Sequence, residues 1–320
     1  MNLILNLMDT KYGVLEGVIS LELYESGKVK ECSTDRHNRL HTPVGILVPQ
    51  YSNEGVRNKY IKTLSFYENG NLKKAALNEQ CIAATDIGPM KAELITFYES
   101  GKIKRIFPLN GKITGYWTEE NEYELAEPQL FHFPFGNLKK KVINILFYET
   151  GNIKSLTFWP KELTFLSTPA GKLGIRYGMG LYPDGRMKSC EPAYPVLVDT
   201  PIGKLTAFDA GALGINGDKN SLGFYEDGNI KSVVTSTDSI GLTGINGECI
   251  LFEPGLRPSM LDEDGMDIIP LKIEFFENKI RINENINYIY DINEYTFSIT
   301  NKTLKTTSKC GNCSVCSGCR

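Results

Sequence analysis

One short phrase recurs seven times and fixes most of what this chain can become. Its clearest form is Phe224-Tyr225-Glu226-Asp227-Gly228-Asn229-Ile230-Lys231. Relatives are Leu23-Tyr24-Glu25-Ser26-Gly27, Phe66-Tyr67-Glu68-Asn69-Gly70, Phe97-Tyr98-Glu99-Ser100-Gly101, Phe147-Tyr148-Glu149-Thr150-Gly151 and Leu181-Tyr182-Pro183-Asp184-Gly185. A degraded copy is Phe275-Phe276-Glu277-Asn278-Lys279. After each Gly come one free position, then Val, Ile, Leu or Met, then Lys. Apolar runs on both sides of a short segment ending in Gly signal a β-hairpin. A two-residue type I′ turn demands Asn-Gly or Asp-Gly, and Ser26, Ser100 and Thr150 fit it poorly. Pro183 suits the second position of a type I turn, where φ near about −65° is needed. The expected connection is therefore a type I turn closed by a left-handed Gly as a G1 bulge. That register pairs Phe66 with Leu72, Phe97 with Ile103, Phe147 with Ile153 and Phe224 with Ile230. Each pair contributes about 0.2–1 kcal/mol beyond Ala–Ala. In the degraded copy, Lys279 stands where left-handed φ is wanted, so that turn is expected to be the loosest.

The turn glycines fall at 27, 70, 101, 151, 185 and 228, an uneven period that describes a short unit with insertions. A second motif interleaves: Thr42-Pro43-Val44-Gly45, Thr168-Pro169-Ala170-Gly171, Thr200-Pro201-Ile202-Gly203, and more loosely Phe133-Pro134-Phe135-Gly136. Pro followed two residues on by Gly reads as a turn opening a strand. Helical signals are scarce, with one helical turn expected over residues 121–126. The opening residues Met1 to Met8 read as a first strand, and residues 280–299 as a closing cap. Lysines after the turns (Lys73, Lys104, Lys154, Lys231) are expected to blunt strand edges. Leu251 to Pro270 reads mainly as loop. The fold class is all-β: tandem β-hairpin repeats stacked into an extended or curved sheet assembly, ending in a short irregular Cys-rich tail. Residues 1–300 form the repeat domain, and 301–320 a basic tether with a tetracysteine tail.

These hairpins resemble the bacterial variant of MORN-type repeats, whose tandem hairpins carry a Tyr-x-x-Gly core. The likeness spans roughly residues 20–280. It implies a β-hairpin scaffold that binds a protein partner rather than catalyses.

The chain closes with Cys310-Gly311-Asn312-Cys313-Ser314-Val315-Cys316-Ser317-Gly318-Cys319-Arg320. Cysteines at every third position, separated by small residues, let several sulfurs face one point. The spacing suits an iron–sulfur cluster, with [4Fe–4S] first and a tetrathiolate zinc second; Cu(I) accepts the same soft donors. Cys310, Cys313, Cys316 and Cys319 are the expected metal ligands. Lys302, Lys305, Lys309 and Arg320 lower thiol pKa and accommodate residual charge. A flexible thiol-bearing arm is the plainer reading.

A net charge of −3 gives no nucleic-acid footprint, and no membrane span is evident. With no basic leader before the apolar start, the expected compartment is the cytoplasm, where eight cysteines are thiols or ligands rather than disulfides. Cys32, Cys81, Cys190 and Cys249 read as inert small apolar residues. Cys32 with His37 and His41 is a weaker metal candidate, His132 a strand residue, and Asp262 to Asp264 a solvated turn. No Ser-His-Asp order, phosphate loop or supported carboxylate pair is present. An enzyme with a polysaccharide-binding β groove, in which Trp117 and Trp159 join the tyrosines, is the alternative; buried packing of both tryptophans is favoured. A metal-free interaction scaffold is the third reading.

Overall fold

The computed structural model describes residues 5–52, 54–59, 61–212, 219–259 and 265–301. Strand follows strand, with one helix among the described residues, Glu119–Leu125, capped by Thr118 at the site of the expected helical turn. The chain divides into two compact units. One comprises Met1–Thr164, Arg176–Met187 and Gly214–Asp218; the other comprises Phe165–Ile175, Lys188–Leu213 and Lys219–Arg320.

Every intact copy of the phrase is a hairpin of the expected type. In the second hairpin the Gly70 amide donates to the Tyr67 carbonyl at 2.8 Å, and the Tyr67 amide to the Asn71 carbonyl at 2.8 Å. The same two bonds close the turns at Tyr24, Tyr98, Tyr148, Tyr182 and Tyr225. The six turn glycines have φ between 81° (Gly27) and 94° (Gly151), where a side chain is strained. Phe66 pairs with Leu72, Phe97 with Ile103, Phe147 with Ile153 and Phe224 with Ile230, each beside a bulge. The degraded seventh copy escapes the strain differently. Its loop shrinks to two residues, Lys279 enters a strand opposite Phe276, and the positive φ (53°) moves to Glu277.

The uneven period in sequence becomes an even register in space. The residue four after each turn Gly pairs with the residue two before the next turn Tyr. In the first unit these pairs are Glu31–Ser65, Lys74–Thr96, Arg105–Leu146 and Ser155–Gly180; in the second, Ser189–Gly223 and Ser232–Glu274. All are antiparallel. Insertions are looped out between hairpins and leave this register intact.

The motif tyrosine is the fastener. Tyr24 Oη donates to the Phe66 carbonyl at 2.8 Å, Tyr67 Oη to Phe97 at 2.9 Å, Tyr98 Oη to Phe147 at 2.7 Å and Tyr148 Oη to Leu181 at 2.9 Å. Tyr225 Oη donates to the Phe275 carbonyl. Each of these five hairpins is thus stitched to its successor at a carbonyl that its own register leaves pointing sideways. Burial pushes the Tyr67, Tyr98 and Tyr225 hydroxyls up from their usual pKa, which keeps them protonated as donors. The motif lysine is part of the same device. Lys73, Lys104 and Lys154 lie 5.6 Å over the Tyr67, Tyr98 and Tyr148 rings, and Lys231 lies 5.4 Å over Tyr225. These lysines cover tyrosine faces on strands that are paired, rather than blunting free edges. Tyr98→Phe is expected to cost about 1–2 kcal/mol by orphaning the Phe147 carbonyl. Tyr116→Phe, at a side chain 91% exposed, is expected to cost almost nothing in the same denaturant titration.

The Thr-Pro-x-Gly motif also makes complete hairpins, with two-residue loops. Thr42 pairs with Gly45, Thr200 with Gly203, and Phe133 with Gly136. Thr42 and Thr200 hydroxyls donate to the partner Gly carbonyl at 2.6 and 2.5 Å, and Thr168 does so to Gly171 at 2.8 Å. Two more members, Thr10–Gly13 and Thr85–Gly88, lack the proline but form the same bond at 2.6 and 2.5 Å. One cross-strand pair in these hairpins is buried, two residues before Thr (or Phe133) and two after Gly, as in Leu40–Leu47 and Phe131–Leu138.

These tips cover the Tyr turns. An added Cβ at Gly70 would lie 3.2 Å from Lys11, at Gly185 3.1 Å from Pro134, and at Gly228 3.4 Å from Pro169; at Gly151 it would overlap Asp86. Each tip therefore packs on the Tyr hairpin one step further along, a second stitch beside the tyrosine bond. The region read as loop around Leu251 to Pro270 contains a further hairpin, Gly255–Pro258 with Met266–Ile269. The cap splits: Ile289–Asp291 pairs with Lys279–Ile282, whereas Tyr295–Asn301 pairs with Asp238–Gly244.

Candidate functional site

The expected ligands Cys310, Cys313, Cys316 and Cys319 lie outside the described residues, as do Asp262, Glu263 and Asp264. The other cysteines are scattered. Cys32 and Cys190 are fully buried at matching register positions, opposite Leu64 and Leu222. Burial pushes the Cys32 thiol up to about 12 and the Cys190 thiol strongly upward as well, so neither supplies a thiolate near neutral pH. Cys81 is half-buried and Cys249 exposed. His37 stands edge-on to Tyr51, 5.6 Å between ring centres, and His132 bonds Asn137 across its hairpin at 2.8 Å. Among the described residues no three His, Cys, Asp or Glu side chains are placed to hold a metal ion. The repeated glutamates project from the turns into solvent. Trp159 is buried, as expected; Trp117 is half-buried and donates Nε1 to Glu122 at 2.6 Å.

What the described residues do assemble includes a partly buried ionic knot and two open clefts. The knot ties three distant segments of the first unit. Arg57 reaches Glu122 with Nε at 2.9 Å and Nη2 at 2.7 Å, and Glu93 with Nη2 at 2.9 Å and Nη1 at 3.3 Å. Glu122 also accepts from the Gly111 amide at 2.7 Å, and Glu93 from the Asn110 amide at 2.7 Å. Burial alone would raise the Glu122 carboxyl; the bonds from Arg57, Trp117 and Gly111 outweigh it and hold its pKa below the usual 4.5. With its oxygens and the guanidinium all engaged, the knot is a clamp rather than a reaction centre. The partners are 36 to 65 residues apart, and no local signal announces them.

Both clefts form where a Thr tip meets Tyr turns. In the first unit Lys11, His41 and Lys102, with Asn71 and Ser100, line a cleft, and Lys102 Nζ lies 3.8 Å from the Asp86 carboxylate beside it. Lys11 Nζ is held by Asn71 Oδ1 at 3.0 Å. In the second unit Asp199, Asp227 and Glu277 share a cleft with Tyr225 and Phe276, and no base lines it. Asp199 is paired with Lys204 at 3.0 Å, and Asp227 accepts from the Asn229 amide at 2.9 Å. The same tip-on-turn architecture thus carries mainly basic side chains at one place and acidic ones at the other, each with a partner of opposite sign nearby. No family model matches this chain, and neither does any curated protein or solved structure. No helix among the described residues is long and apolar enough to cross a membrane.

Proposed function

We propose that this chain is a non-catalytic β-hairpin scaffold that docks a protein partner and carries a metal site on its C-terminal tail. Cys310, Cys313, Cys316 and Cys319 would hold an iron–sulfur cluster, [4Fe–4S] in the first instance and zinc in the second. Its role is accessory: electron transfer, or handling of metal or sulfur, beside a protein it binds. The MORN-like phrase supports the docking half of this reading. The observation that carries the proposal is the commitment of motif chemistry to architecture. The recurring Tyr hydroxyls, Lys ammoniums and turn glycines hold hairpin to hairpin, and two of the body cysteines are buried with raised pKa. Four closely spaced sulfurs remain in the tail. A cytoplasmic location belongs to the same proposal, since four closely spaced thiols persist unoxidised in a reducing compartment.

Iron, acid-labile sulfide and zinc, measured on protein purified without oxygen, test it. Bound metal lost on removal of residues 310–319 is the expected result. Metal-free protein, or metal that survives the truncation, contradicts it. The acidic cleft of the second unit supports a second reading, a polysaccharide-binding groove. Asp227→Asn weakening a glycan interaction, with the tail intact, would favour that reading.

A further inference from the structure

The interval between turn glycines is longest from Gly101 to Gly151, and it holds residues that the hairpin register does not need. After strand Ile103–Phe107 the chain leaves the sheet, makes a tight turn at residues 114–117 and enters the helix Glu119–Leu125. This finger is held rigidly. The Arg57 knot grips it at Asn110, Gly111 and Glu122. The Lys112 amide donates to the Arg57 carbonyl and the Thr114 amide to the Trp117 carbonyl, both at 2.7 Å. Thr114 Oγ1 accepts from the Tyr116 and Trp117 amides at 3.2 and 3.1 Å. An added Cβ at Gly111 would overlap the Glu122 carboxylate, so this close approach needs glycine. Yet the finger presents bare apolar side chains: Tyr116 is 91% exposed and Ile113 55%. Residues 108–127 carry five glutamates and one lysine. Glu122 is engaged by Arg57, Glu120 by Lys161 and Glu127 by Lys91. Glu119 and Glu124 are exposed, with no ion-pair partner among the described residues. An aromatic side chain on a pre-ordered loop, beside acids open to a partner, is the make-up of a docking hot spot.

The complement lies in the same unit. The cleft of about 600 Å³ lined by Lys11, Tyr12, His41 and Lys102 is mainly basic. A smaller cavity of about 130 Å³ shares Pro43, Gly101 and Lys102 with it and adds apolar wall from Val44, Ala84, Ile103 and Phe147. Asp86 stands 3.8 Å from Lys102, but both side chains are more than half exposed, so the pair is weak. Lys11 is held by the neutral Asn71. Gly101 and Lys102 of the cleft precede strand Ile103–Phe107 and the finger follows it, about 15 Å further along the strand. We infer that the finger of one copy of this chain docks into the basic cleft of a second copy, Tyr116 against the apolar wall and Glu119 and Glu124 toward Lys11 and Lys102. Charge complementarity selects this occupant, because the acid-flanked finger and the basic cleft are both carried by this chain. They are different surfaces, so the contact is heterologous and repeats from copy to copy. The inference rests on the docking half of the scaffold reading and uses nothing of the tail.

Sedimentation of the full chain over a range of concentrations tests it. Reversible self-association is expected, and it should weaken as salt rises. Tyr116→Ala should weaken it about 30-fold or more at an unchanged melting temperature. Ile113→Lys at the finger and Lys102→Glu at the cleft should each weaken it as well. Mixing the Tyr116→Ala chain, whose cleft is intact, with the Lys102→Glu chain, whose finger is intact, should give a 1:1 complex and nothing larger. A natural chain that stays monomeric, association that survives Tyr116→Ala, or variants that do not combine on mixing would each overturn the inference. So would a monomeric chain that binds a different protein through Tyr116. Protein with Cys313→Ser and Cys316→Ser should associate as the natural chain does, so loss of the metal proposal and loss of this one are read separately.

Discussion

Phe147→Ala is expected to lower the unfolding free energy by about 3–5 kcal/mol, and Leu23→Ala by about 1 kcal/mol or less. Both residues occupy the position before the motif tyrosine. Phe147 is 1% exposed, pairs with Ile153, and presents its carbonyl to Tyr98. Truncation there removes an aromatic side chain from a closed interior and leaves a cavity that neighbouring strands, held by their ladders, cannot collapse into. Leu23 is 41% exposed, so the same change removes far less buried surface. With a typical domain stability of about 5–15 kcal/mol, the first substitution endangers folding and the second does not. Chemical denaturation of the two variants, side by side, checks it. Equal losses would mean that position in the array does not decide burial.

Arg57→Ala should cost about 3–5 kcal/mol, because it strands the Glu122 carboxylate, whose side chain is 4% exposed, without its counter-charge. Arg57→Lys should recover little, since one ammonium cannot reproduce the forked contacts to Glu122 and Glu93. The knot also sets a pH dependence. The folded-state pKa of Glu122 is depressed below 4.5. Its stabilising contribution is therefore complete above the unfolded pKa and is lost as pH falls through the folded one. Acid titration of stability should show a steeper decline below about pH 4.5 in the natural chain than in Glu122→Gln. Parallel curves would show that the carboxylate is not held ionised by the fold.

The hairpin phrase is legible because every determinant is local. A turn Gly, a polar residue before it and an apolar residue on each side select one loop length, and loop length selects register. The Thr hairpins are half legible. Proline draws attention to Thr42, Thr168 and Thr200, but the operative link is the Thr hydroxyl to the Gly carbonyl, which Thr10 and Thr85 form around Lys11-Tyr12 and Asp86-Ile87. A search for Thr-x-x-Gly alone would find them. The lysines read as edge residues because a sequence does not show that a ring from the same hairpin lies beneath them. The Arg57 knot cannot be read at all: its partners come from separate segments that meet only after the sheet has formed. Of the candidate site, the sulfur spacing is legible in sequence alone, whereas the clefts between Thr tips and Tyr turns are seen only in the structure.

The central claim is that hairpins supply an unreactive frame while sulfur chemistry is confined to the tail from Cys310 to Arg320. The visible absorption spectrum of the anaerobically purified chain, compared with that of a Cys313→Ser, Cys316→Ser variant, tests it most directly. The account predicts a brown chromophore in the first and none in the second, with both melting alike. A colourless natural chain devoid of metal, or a chromophore that persists in the variant, would contradict it.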